Sequence, residues 1–108
     1  MLKIVDTVVE QEDDYTVTRH TVEGKAMLDG TSIWDYDYDT NGYEVTVTTI
    51  TVIEEDEGYR QVNVEHDAGW EIYTDRGFEQ SIGSVLGFAV QFTEQGMQDD
   101  NYASMELA

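Results

Sequence analysis

The sequence predicts an α+β domain: a twisted, mainly antiparallel sheet of about five or six strands, with one C-terminal helix packed on one face. Three observations lead there. Alternating β-branched and polar residues fill the first two thirds of the chain, the period-2 signature of strands. Asn41-Gly42 sits between two such runs and is a strong hairpin signal, because a type I′ turn needs positive φ at both central positions. Behind the strands comes one stretch with helical spacing, Phe78, Ile82, Val85, Leu86, Ala89 and Val90. The 108 residues suit a single domain, 1–108, with little room for a second.

Leu2 to Glu10, with Ile4, Val5, Thr7, Val8 and Val9, reads as the first strand. Gln11 to Asp14 is an acidic turn, and Tyr15 to Val22 alternates as a second strand, antiparallel to the first. Glu23-Gly24 breaks it; Lys25 to Leu28 is a short strand and Asp29-Gly30 a turn. The stretch Ser32 to Ile53 is then expected to fold about Asn41-Gly42, setting Thr40 opposite Tyr43, Tyr38 opposite Val45, Tyr36 opposite Val47 and Trp34 opposite Thr49. Glu54-Glu55-Asp56-Glu57-Gly58 is a strongly acidic turn, and Tyr59 to His66 a further strand. Asp75 caps the helix, which is expected to run to about Gln95 with Gly96 as its stop. A strand over Ser84 to Phe92 is the alternative, because Gly83 and Gly87 weaken the helix. Those two glycines share one face, which would let the helix lie close to the sheet. Residues 97–108 are expected to be a loosely held tail, with Met105 and Leu107 tucked back.

Charge is the outlying property. Twenty-four acidic residues against five Lys+Arg give a net charge of -19. Direct binding to nucleic acid or to an anionic membrane face is excluded, since both need cationic patches. The apolar content of 40% is enough for one core and argues against disorder. With no cysteine, disulfides, zinc–thiolate sites and thiol nucleophiles are ruled out. The opening MLKIVDTVVEQEDD has an apolar run broken by Asp6 and no small-residue cleavage site, so a cytoplasmic protein is expected.

Few motifs suggest chemistry. Asp37, Asp39, Asn41 and Gly42 match the opening of a calcium loop. The twelfth position, however, is Thr48 where a bidentate Glu belongs, and the flanks are strand-like; an acidic hairpin explains the same residues. Glu65-His66-Asp67 resembles a ligand cluster in one dimension, but neighbouring strand residues point to opposite faces. Both His20 and His66 therefore read as solvated or core-edge histidines. Trp34, Tyr36 and Tyr38 could stack on bases, but no positive groove accompanies them, and packing against the helix is the expected role. No phosphate loop, nucleophile elbow or H-E-x-x-H is present. No enzyme and no cofactor is expected.

The acids therefore carry the functional reading. Asp35, Asp37 and Asp39 alternate along one strand, which would space them about 6.8 Å apart on one face. Glu44 lies beside Asp39 across the turn, and Glu54, Glu55, Asp56 and Glu57 form a second acidic group. In size, charge balance and lack of catalytic residues, the chain resembles the DNA-mimic inhibitors encoded by bacteriophages and mobile elements: antirestriction proteins, anti-CRISPR proteins and inhibitors of uracil-DNA glycosylase. That resemblance implies a basic nucleic-acid-binding partner (a nuclease, a restriction or CRISPR complex, or a repair enzyme) and a host-cytoplasmic location. It rests on general design, and no functional residue is carried over from it. Low lysine with abundant Thr, Val and Asp is similar to halophilic proteins, so a salt-adapted or calcium-binding structural module is the alternative.

Overall fold

A computed structural model describes residues 1–30, 42–68, 72, 75–93 and 101–108. Its strands are β1 (Lys3–Gln11), β2 (Tyr15–Glu23), β3 (Lys25–Met27), β4 (Glu44–Glu55), β5 (Arg60–His66), β6 (Val90–Phe92) and β7 (Tyr102–Leu107). One helix, α1 (Arg76–Leu86), precedes β6. Among the described residues every pairing is antiparallel, in the order β1-β2-β4-β5-β7-β6, with β3 also on β4. The α+β class with an antiparallel sheet is as expected; the sheet has seven strands among the described residues, more than the five or six expected.

β2 and β3 run along the same edge of β4. Thr21 pairs with Thr49 and Lys25 with Thr46, a one-residue slip taken up at Gly24 (φ 107). The expected Glu23-Gly24 break is thus a bulge within one long strand. At its far end Leu28 donates to the Tyr43 carbonyl (2.8 Å) and accepts from the Gly42 N–H (2.9 Å). The arm that pairs with this edge of β4 is therefore β2–β3, which corrects the expected pairings of Val47 and Thr49. Val47 already lies between Gly24 and His66, and Thr49 between Thr21 and Glu65. Neither has an open edge for Tyr36 or Trp34. Gly42 does adopt positive φ (86); Asn41, and with it residues 31–40, lies outside the described residues.

The core sits between α1 and one sheet face. Alternate residues of the central strands supply it: Ile50 and Val52, Val62 and Val64, Ala103 and Met105, all nearly inaccessible. Phe78 and Ile82 close it from the helix. Each such Val, Ile, Met or Phe side chain contributes about 1.5–3 kcal/mol relative to exposure. The placement of Trp34, Tyr36 and Tyr38 beneath the helix falls outside the described residues.

The helix starts where expected, with Asp75 accepting from the Phe78 N–H. It ends nine residues early. Gly87 takes φ 86 and donates to the Gly83 carbonyl at 2.8 Å, a left-handed stop that glycine accepts without strain. Gly87 thus terminates the helix and makes no close approach to the sheet. Val90, read as a helical position, is buried in β6, so the helix and strand readings each hold for part of the segment. The tail expectation is also corrected: β7 lies between β5 and β6, with Ala103 and Met105 fully buried. Leu107 is exposed.

Candidate partner-binding site

Strand register decides which acids become neighbours. Gln11 pairs with Thr16, and Tyr15 with Glu55, so the β1–β2 and β4–β5 turns project from the same end of the sheet. Glu10, Glu12, Asp13 and Asp14 thereby stand beside Glu54, Glu55, Asp56 and Glu57, the two hairpins about 10 Å apart at two strand spacings. Arg19 donates to Glu10 (2.8 Å) and Arg60 to Glu54 (3.1 Å). Arg60 also lies 4.6 Å from the Phe88 ring centroid. The six turn acids, Glu12, Asp13, Asp14, Glu55, Asp56 and Glu57, face solvent.

This acidic pole was half visible in the sequence. Glu54 to Glu57 were expected to bind a partner, whereas the Glu12 to Asp14 turn was read as a connection only. The missing signal was the register that sets β2 against β4. By contrast, Glu44 opens β4 at the opposite end. Ten residues separate it from Glu54, about 33 Å of extended strand, so the structure does not bring Glu44 together with the second acidic group. Between the ends, on the open sheet face, Thr51, Asn63 and Ser104 are cross-strand neighbours, with Ser104 donating to Asn63 at 3.3 Å and Glu65 exposed on the same face. Asp35, Asp37 and Asp39, and the calcium-loop residues Asp37, Asp39 and Asn41, lie outside the described residues.

The segment Asp29-Gly30, which follows β3, is held by a buried side chain. The Asp75 carboxylate is fully buried. Its Oδ1 accepts from the N–H groups of Asp29 (3.1 Å) and Phe78 (3.0 Å), and its Oδ2 from that of Gly30 (3.1 Å). One side chain thus caps α1 and holds the chain just after β3. Burial raises its pKa, and the nearby Asp29 charge adds to the rise, against the lowering effect of the three N–H donors. Sequence reading found the cap and missed the second task, because Asp29 lies 46 residues away.

The histidines have structural surroundings. His66 is buried edge-on to the Phe78 ring, centroids 5.7 Å apart, with Nδ1 accepting from the Ala68 N–H at 3.1 Å. Glu65 is exposed on the other face, as strand alternation requires. His20 Nδ1 is 2.9 Å from the Thr7 hydroxyl, and burial lowers its pKa. Among the described residues no group of three or more His, Cys, Asp or Glu is arranged to hold a metal ion. No described helix is long and apolar enough to cross a membrane. Comparison with protein-family models, with curated proteins and with solved structures finds no match for this chain.

Proposed function

We propose that this protein is an inhibitor that occupies the nucleic-acid site of a basic protein by imitating phosphates, in the manner of phage- and mobile-element-encoded DNA mimics. The observation that carries the reading is the acidic pole: eight carboxylates on two adjacent hairpin ends that strand register sets at the same end of the sheet. Hairpins already folded meet a cationic groove without their backbone first having to be ordered. Seating it there would also release the groove's bound anions, the charge part of DNA binding. Asp35, Asp37 and Asp39, which lie outside the described residues, are the further carboxylates this reading assigns to partner binding.

The test is capture of a nuclease, restriction or CRISPR complex, or repair enzyme from host extract, followed by competition with duplex DNA. Association should be fast and fall steeply with salt. Changing Glu12, Asp13, Asp14, Glu55, Asp56 and Glu57 to their amides should weaken binding by at least about tenfold, or 1.4 kcal/mol. A captured partner that binds equally well alongside its DNA would refute the mimic. The salt-adapted alternative is favoured by one observation, the solvent-facing placement of all six turn acids. It forecasts cooperative unfolding only in molar salt, so a folded protein at low salt counts against it.

A further inference from the structure

Strand β1 stands at the edge of the sheet, and among the described residues it pairs with β2 alone. All of it except Ile4 is exposed, and because neighbouring residues face opposite ways, both its faces are open. Val8 and Val9 are exposed by 49% and 60%, one on each face. Soluble proteins usually blunt such edges with charged side chains (lysine above all), prolines, bulges or short strands, and β1 carries charge at Lys3, Asp6 and Glu10. Here there is one lysine, at the start, and no proline. The single bulge falls between Ile4 and Asp6, leaving Asp6 to Gln11 a straight run of backbone donors and acceptors.

Charge disfavours a second copy at this edge, although a pairing centred on Thr7 would set Val5 against Val9. Two antiparallel β1 strands related by a twofold axis at Val8 would set Asp6 against Glu10 twice, and like charges directly opposite destabilise a sheet. Centred on Thr7, the pairing sets Val8 against Asp6 and Ile4 against Glu10. Either pairing also brings together two molecules of charge -19. Charge favours a different occupant.

We infer that β1 is a strand-addition site for an extended segment of the partner, with basic side chains opposite Asp6 and Glu10 and β-branched ones opposite Val8 and Val9. Backbone hydrogen bonds along the edge would supply affinity, and alternate side chains specificity. Glu10 is shared with Arg19 across β1 and β2, so a basic residue opposite it would join an existing ion pair. The acidic turn Glu12 to Asp14 directly follows the edge and would draw the segment toward it. This inference rests on the reading that the partner is basic.

The probe is a synthetic peptide, blocked at both ends, with lysine opposite Asp6 and Glu10, valine opposite Val8 and Val9, and threonine opposite Thr7. Binding should shift the β1 amide resonances and slow their hydrogen exchange by more than about tenfold. Two further peptides carry N-methyl groups in alternate phases. In antiparallel pairing only alternate N–H groups point at the neighbouring strand, so one phase should lose binding by at least about tenfold and the other keep it. Equal binding of the two, whether both tight or both weak, overturns strand addition, as do shifts confined to the acidic pole. A Val8→Lys, Val9→Lys variant, which alters exposed positions only, should keep its melting temperature and lose the peptide. If the captured partner is displaced by duplex DNA yet binds this variant normally, the edge inference fails while the mimic reading stands. If the peptide binds as described but DNA competition fails, the reverse holds.

Discussion

Asp75 carries a burden that its place at a helix start does not suggest. Replacing it with Ala removes a cap and strands the Asp29 and Gly30 N–H groups, an expected loss of about 2–4 kcal/mol by chemical denaturation. Its raised pKa fixes the sign of a pH effect. The native state holds that proton more tightly than the unfolded chain, whose value is near 3.8. The contribution is therefore fully present below that value and lost as pH rises through the higher native one. His20 works the other way. Its native pKa lies below 6.5, so the unfolded chain binds the proton first and stability falls as pH drops from 6.5 through the native value. Denaturation across pH should show the wild type gaining on Asp75→Asn, and losing to His20→Gln, as acid is added. Curves parallel to both variants would refute these assignments.

Among the elements, β7 makes the sharpest claim. Met105→Ala is expected to cost about 2–5 kcal/mol and Leu107→Ala well under half of that, because only the first empties a buried site. Equal, small effects would mean that the segment is a tail after all. The alternation of Ala103 and Met105 with Tyr102, Ser104 and Glu106 was present in the sequence, but alanine and methionine are poor strand markers. What makes them core residues is pairing with Val64 and Val62, forty residues upstream. The strands β1, β2, β4 and β5 were legible because their own β-branched alternation reports them. The helix start was legible from Asp75. Its end was not: apolar residues continue at helical spacing through Val90, and only the left-handed turn at Gly87 stops it. Likewise β4 pairs with β2 and β3, a partnership that Asn41-Gly42 does not report.

At the scale of the molecule, charge governs behaviour. Calcium and magnesium at matched ionic strength are expected to raise the melting temperature equally, since both screen a charge of -19. A gain peculiar to calcium, and lost in Asp37→Asn, Asp39→Asn, would instead establish the loop as a calcium site. The acids themselves were plain in the sequence. Their gathering was not, since a charge count says nothing of which turns share an end. The pole exists because β2 and β4 are neighbours, with the Glu12 to Asp14 turn on one and the Glu54 to Glu57 turn on the other.

Strand β4 spans the molecule, Glu44 at one end and Glu54 at the other. Its length of about 33 Å converts to a footprint: duplex DNA rises about 3.4 Å per step, so the strand matches roughly ten base pairs, about one turn of the double helix. A partner whose groove holds a full turn of duplex could be filled from end to end. One that grips a single flipped base or a short overhang could meet only one end at a time. On the proposed mimic reading, neutralising the pole alone would then abolish binding to those short sites that take the pole and weaken binding to long grooves only in part.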